Sequence, residues 1–358
     1  MDSYPGEEKI VAFIDIGTNA IRLSVVRIDR DHHHTNITQQ REPVRLGEGE
    51  FEDRVLQPHA MQQAVLVCKK FVELSQAHEA EEIIAVATSA TREAVNGDEF
   101  IQRLHREAGV KARVISGKEE ARLTYQGLAS FVHLGTSKAL FIDIGGGSTE
   151  VIVGGQHKFT YLDSIRAGAV RLTALYLSPN ETLPVPPDVY QTLRHQARIA
   201  ASNALNNVRR HQPDLAFGTS GTIQNLAAIA ARSARNRAAN EANVLSLSEL
   251  RRVTAMLCAL PLDERKKLSG LNRDRADIII GGAAILDVIM EELGFSEITV
   301  LSEGGLRDGL LVDYLEQRTH DPERASARER SVVRLGRACK FDEKHARKAE
   351  RLALDLFD

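Results

Sequence analysis

The chain has 358 residues, 43% of them hydrophobic and 27% charged, with a formal net charge of −3. That length suits two domains with a small appendage, and no run of about 18 apolar residues offers a membrane span. A slightly acidic chain does not attract polyanions by its overall field, so specific nucleic-acid binding is not expected, and an anionic ligand must be held by local cations and oriented amides.

In chain order, residues 1–9 are polar and lead straight into a strand, without the basic-then-apolar pattern of a signal peptide. Cys68, Cys258 and Cys339 lie far apart, each in a helical pattern, and read as reduced core thiols. Both features point to the cytoplasm. Residues 10–14 form an apolar strand ending at Asp15, followed by the turn Gly17-Thr18-Asn19. Ile21, Leu23 and Val25 then alternate with Arg22 and Ser24, the period of a half-buried strand. His32, His33 and His34 sit among Asp29, Arg30 and Asp31 and read as an exposed hairpin loop. Met61, Val65, Cys68 and Val72 share one helical face.

Residues 83–87 read as a buried strand, and the segment ATSATREA opens a helix directly after it. Free amides and the helix dipole favour an anion there, and Arg92 could meet a phosphate bidentately, although an exposed first-turn arginine fits the spacing equally well. A strand ending at Ile115 leads into SGKEEAR and a helix over 118–131. Paired glutamates at a helix start ordinarily just suit the dipole. A phosphate hydrolase, however, needs a group to orient or deprotonate water, and Glu119 and Glu120 are the candidates.

The most informative feature is a repeat: Phe13-Ile14-Asp15-Ile16-Gly17 returns as Phe141-Ile142-Asp143-Ile144-Gly145, a shift of 128 residues. The second copy extends into DIGGGSTE and the apolar run 151–153. Three glycines let the backbone bring its amides close to an anion, and Ser148 and Thr149 add hydroxyl donors. Asp143 and Glu150 leave the two arms of one hairpin, so their carboxylates can converge on a hard cation such as Mg²⁺. Arg166 follows a strand and precedes an apolar helix over 170–176; spacing alone makes it a surface residue. Residues 183–187 are a proline-rich loop. Helices follow near 189–208, 222–231, 248–259 and 276–293, with strands at 215–217 and 298–301 and a glycine-bearing turn at 218–221. Arg232, Arg235 and Arg237 read as a solvated helix end, and residues 324–358 carry apolar helical faces.

Strands alternating with helices make this an α/β chain. Duplicated lobes facing each other across a cleft resemble the actin, sugar-kinase and heat-shock-chaperone ATPase superfamily. The ordered set DIGTNAIRL, ATSATREA, SGKEEARL, FIDIGGGSTE, FGTSGT, GLNRDRADIIIGGAAIL and SEGGLRDG, spanning residues 10 to about 315, resembles the exopolyphosphatase and guanosine pentaphosphate phosphatase family. The resemblance implies two actin-like (ribonuclease H-like) lobes with an interlobe cleft: residues 1–130 completed by a return helix at 304–318, and residues 131–303. It also implies a helical tail at 324–358 like the start of an HD-like domain. Glu120 matches the catalytic base, with Glu119 the second choice, and Asp143 and Glu150 match the Mg²⁺-binding and catalytic acids. Asn19, Arg22, Arg92, Gly145, Gly146, Gly147, Ser148 and Arg166 match phosphate contacts, and Gly221, Thr222, Gly304 and Gly305 match flanking turns. The expected activity is release of orthophosphate from polyphosphate ends, or conversion of pppGpp to ppGpp by the same groups. A kinase or a non-catalytic phosphate sensor is a further alternative. No nucleic acid or membrane partner is expected, and a homodimer is the assembly to test.

Overall fold

A computed structural model of the chain describes residues 8–29, 33–177, 184–233 and 243–319. The first part comprises β1 (Lys9–Ile16), β2 (Ala20–Ile28), β3 (His34–Pro43), α1 (Glu50–Asp53), α2 (Pro58–Ala77), β4 (Glu82–Ala87), α3 (Ser89–Glu93), α4 (Gly97–Arg103), β5 (Ala112–Val114) and α5 (Gly117–Phe131). Its five strands form one sheet in the order β3-β2-β1-β4-β5. The second part comprises β6 (Ala139–Ile144), β7 (Thr149–Gly154), β8 (Phe159–Ile165), α6 (Ala169–Tyr176), α7 (Pro187–His211), β9 (Leu215–Thr219), α8 (Ser220–Ser233), β10 (Val244–Ser246), α9 (Leu247–Ala259), α10 (Leu262–Arg265), α11 (Ile279–Leu293) and β11 (Glu297–Val300). Its six strands form a separate sheet, β10-β11-β9-β6-β7-β8. Helix α12 (Leu306–Thr319) follows.

The two sheets are built alike. β1 pairs antiparallel with β2 and parallel with β4, and β6 pairs in the same way with β7 and β9. β1 and β6 are central strands buried on both faces, which is why each reads as a nearly continuous apolar run. Ala12, Ile14, Ile21 and Leu23 pack with Ala64, Cys68 and Phe71 of α2 in one core; burial pushes the Cys68 thiol up to about 12. The register repeats with the sequence. Asp15 lies opposite Arg22, and Asp143 opposite Glu150. Gly17 N donates to Ala20 O at 3.2 Å, and Gly145 N to Ser148 O at 3.0 Å.

Helix α12 returns to the first sheet. Gly309 lies against the Leu123 backbone, and Gly127 against Gly305 and Gly309, so α5 and α12 approach too closely for a side chain at those points. Arg307 Nη1 donates to Leu23 O on β2 at 3.1 Å. Asp308 Oδ2 accepts from the amides of Gly304 and Gly305, fixing the turn into the helix. Strand β3 was not legible as a strand: HTNITQQREP is polar on both faces and largely exposed. No helix among the described residues is long and apolar enough to cross a membrane. His32, Leu183, Arg235, Arg237, Cys339 and the tail 324–358 lie outside the described residues.

Candidate active site

A cavity of about 560 Å³ is lined from both sheets, with the turn after β1 on one side and the turn after β6 on the other. Each turn has its carbonyls held from behind. Gly145 O accepts from Ala169 N, and Gly146 O from Val170 N and Arg171 N, all three donors at the start of α6. In the first turn, Thr18 O accepts from Gly47 N, and Asn19 O from Val44 N and Arg45 N. With the carbonyls engaged there, the turns present amides and short polar side chains to the cavity. The glycines are required by proximity. A Cβ on Gly146 would meet Thr18 Cβ at 2.9 Å, and one on Gly147 would meet Ser89 Oγ at 2.5 Å and Thr18 Oγ1 at 2.9 Å.

Four carboxylates face this space: the buried Asp15, Glu120 and Glu150, and the partly buried Asp143. Glu120, in the first turn of α5, accepts from Arg92 Nη1 at 2.9 Å, and Glu150 accepts from Ser164 Oγ at 2.8 Å. Burial pushes Glu120 up to about 7, against the pull of Arg92 and with the help of Asp15 and Asp143. Burial likewise raises Asp143 to about 6, raises Asp15, and raises Glu150 well above the usual carboxylate range. For Glu120, desolvation and the neighbouring acids outweigh the pull of Arg92. Glu119 points elsewhere and pairs with Arg113 at 2.6 Å.

Four arginines face the same cavity: Arg22, Arg41, Arg275 and Arg307. Arg22 Nη1 lies 3.4 Å from Asp15 Oδ2. Burial lowers the proton affinity of Arg41, Arg275 and Arg307, and the charge of Arg22 lowers each further; Arg275 falls to about 9. Two buried donors, Asn19 Nδ2 and an Nη of Arg41, have no hydrogen-bond partner among the described residues. Crowded cations and orphaned donors around one space fit an anion carrying several charges.

Of the residues singled out in the sequence, Asn19, Arg22, Glu120, Asp143, Gly145, Gly146, Gly147, Ser148, Glu150, Gly221, Gly304 and Gly305 line this cavity. Three do not. Thr222 is buried, and a Cβ on Gly282 would run into its methyl group. Arg92 reaches Glu120 from behind, and Arg166 is exposed and pairs with Glu93. The arginine that touches the glycine turn is Arg171, whose Nε donates to Gly147 O at 2.8 Å and whose Nη2 reaches Glu93 at 2.7 Å. Sequence reasoning also passed over Arg275 and Arg307, although both lie in quoted motifs, and Arg41, which sits in a polar strand without any motif.

Among the described residues, no three carboxylate, imidazole or thiolate groups gather as a metal site. Asp143 and Glu150 remain as directly opposed partners on adjacent strands. Two opposed acids with raised proton affinity, one buried and one partly buried, fit Mg²⁺, which binds through one or two carboxylates and keeps several waters.

The chain matches the Ppx/GppA phosphatase family model over residues 24–318. It is 30% identical over 353 residues to a guanosine-5'-triphosphate,3'-diphosphate pyrophosphatase of Photobacterium profundum, covering 97% of this chain and 67% of that protein. It is 30% identical over 308 residues to Exopolyphosphatase 1 of Mycobacterium leprae, covering 85% and 88%. Among solved structures, an exopolyphosphatase from Cytophaga hutchinsonii matches with a TM-score of 0.79 at 26% identity, covering 86% of this chain and 98% of that one. The Aquifex aeolicus member of the Ppx/GppA family matches with a TM-score of 0.69 at 27% identity, covering 88% and 100%.

Proposed function

The chain belongs to the Ppx/GppA phosphatase family, and from that premise we propose that it releases orthophosphate from the ends of inorganic polyphosphate. The observation that carries this reading is the group of four arginines around one cavity. A linear polyanion would relieve their mutual repulsion along its length, whereas a single phosphate could meet only part of the group. In this reading the chain divides into a first lobe, 1–130 completed by 304–318, and a second lobe, 131–303. The bond from Arg307 to Leu23 supports assigning the return segment to the first lobe.

The terminal phosphate lies between the two turns, held by the backbone of Gly145 to Ser148 and by the Asn19 amide. Arg22, Arg41, Arg275 and Arg307 hold the following phosphates. Glu120 takes a proton from the attacking water, whose oxygen bonds to the terminal phosphorus as the bridging P–O bond breaks toward the shortened chain. A divalent cation on Asp143 and Glu150 would neutralise charge developing on the phosphoryl oxygens. Arg92 holds Glu120 by hydrogen bonding, and Ser164 holds Glu150.

A second reading, removal of the 5'-phosphate of pppGpp, has its own support. The Photobacterium relative aligns over nearly the whole chain, and Phe131, a half-exposed aromatic at the cavity, offers a face for a guanine base. Orthophosphate release from polyphosphate, pppGpp and ATP, measured in parallel with Mg²⁺, tests both readings. Turnover of pppGpp alone would overturn the first, and turnover of neither would overturn both.

A further inference from the structure

A second cavity, about 460 Å³, adjoins the first. Ser148 lines both. Elsewhere a partition of hydrogen-bonded side-chain pairs separates the two cavities. Arg92 lines the second cavity and gives its Nη1 to Glu120, which lines the first. Ser164 stands in the same relation to Glu150. Two further cations, Arg54 and Lys118, border the second cavity, and Arg54 also acts on the carboxylate of Glu50. With Arg166 opposed by Glu93, and Asp163 the other acid, the lining carries more positive than negative charge in a chain whose net charge is −3.

Resting on the polyphosphate reading, we propose that this second cavity is the exit for the orthophosphate formed at each turnover. The terminal phosphorus must lie beside Glu120 for that carboxylate to activate water, so the product forms against the partition. The shortened chain stays among the arginines of the first cavity and blocks the way back. Passage the other way requires Arg92 to leave Glu120 and the Ile115 carbonyl and Ser164 to leave Glu150, and the product moves from acidic walls toward Arg54 and Lys118. Hydrolysis leaves one orthophosphate, one chain shorter by a phosphate, and a proton that passes from Glu120 to solvent. The exit gives Arg92 and Arg166, which the sequence pointed to as phosphate contacts, an anion to meet on the far side of the partition.

The test uses the Arg54→Glu/Lys118→Glu double variant, with Arg54→Gln/Lys118→Gln as a neutral intermediate. Bond cleavage in one turnover is followed by rapid acid quench, and free orthophosphate by a fluorescent phosphate sensor. In the wild type, release should keep pace with cleavage. In the charge-reversed variant, cleavage should keep its rate, and free phosphate should lag by roughly tenfold or more, with the neutral variant between. An unchanged lag overturns the exit. So does a KM for long polyphosphate that rises in step with the lag, because the cavity would then be holding substrate. If the wild type cleaves no polyphosphate, the substrate reading fails by itself, and equilibrium titration with inorganic phosphate decides the cavity. There the charge-reversed variant should bind roughly tenfold more weakly, and equal affinity refutes the proposal.

Discussion

Replacing Glu120 with glutamine separates hydrolysis from binding. The amide has nearly the volume of the acid, and its oxygen can still accept the Arg92 hydrogen bond seen at 2.9 Å, so the fold should persist. On the proposed reading, what disappears is the proton acceptor beside the terminal phosphorus. General-base assistance is worth about 10²–10⁴ in rate, or about 3–5 kcal/mol of barrier, and kcat should fall by that factor. Asp15 and Asp143 both raise the proton affinity of Glu120, so removing its charge eases repulsion among acids, and KM for a polyanion should hold or decrease. Glu119→Gln is the control. It breaks an exposed pair with Arg113, worth about 0.2–1 kcal/mol of stability, and should leave kcat close to wild type. The pH profile adds an independent sign. Glu120 is pushed up to about 7; below that it carries a proton and cannot accept another, so kcat/KM should rise with pH through this range and then level. Mg²⁺ at Asp143 and Glu150 favours the ionised form and should move the limb to lower pH. The assay is orthophosphate release from polyphosphate across pH and Mg²⁺ concentration. A Glu120→Gln enzyme within about tenfold of wild-type kcat, below the usual range for a lost base, or a dead Glu119→Gln enzyme, refutes this assignment.

Asp143→Asn or Glu150→Gln should abolish most activity and weaken Mg²⁺ binding measured by calorimetry, and wild-type turnover in excess chelator would contradict this. Arg275→Met fills similar space without the charge; KM for polyphosphate should rise about ten- to a hundredfold. Its Tm should hold or rise, because the native site disfavours that buried cation; a large drop in Tm would show that Arg275 serves the fold instead. Gly147→Ala drives a methyl group into Ser89 and Thr18 and should cost about 1–3 kcal/mol of stability by denaturant titration. Adding Ser89→Gly should recover part of that loss, and no recovery would place the strain elsewhere.

The elements legible in the sequence were those whose burial is uniform. β1 and β6 are covered on both faces and announce themselves as apolar runs. α2 and α5 show a buried stripe at helical spacing. β3 shows neither pattern, because it lies at the edge of its sheet and much of it faces solvent, yet it supplies Arg41 to the cavity. The glycine turns were legible because close approach leaves a compositional trace. Arg171 was not, since a helix whose other positions are mostly apolar conceals the one residue that reaches back to the turn. Arg166, five residues earlier, has the more conspicuous setting and the less central place. The perturbed carboxylates could not be read from sequence at all: the proton affinity of Glu120 depends on acids contributed by β1 and β6, far away along the chain.

The repeat also bears on how one cavity could suit both the anion and the cation of the proposed reading. The two hairpins share a register, so the residue opposite the strand-end aspartate occupies an equivalent position in each sheet. In the first hairpin that residue is Arg22, which lies near Asp15 and adds positive charge to the cavity. In the second it is Glu150, which adds a second acid to Asp143. On the proposed reading, this single difference in side-chain charge turns one copy of the hairpin toward phosphate oxygens and the other toward a metal ion. On the proposed reading both are needed at once, because charge leaving the phosphorus must be balanced while the rest of the chain is held. Two identical copies could supply either surrounding but not both. The divergence at Arg22 and Glu150, rather than the shared Asp-Ile-Gly core, is therefore where the duplicated fold acquires its chemistry.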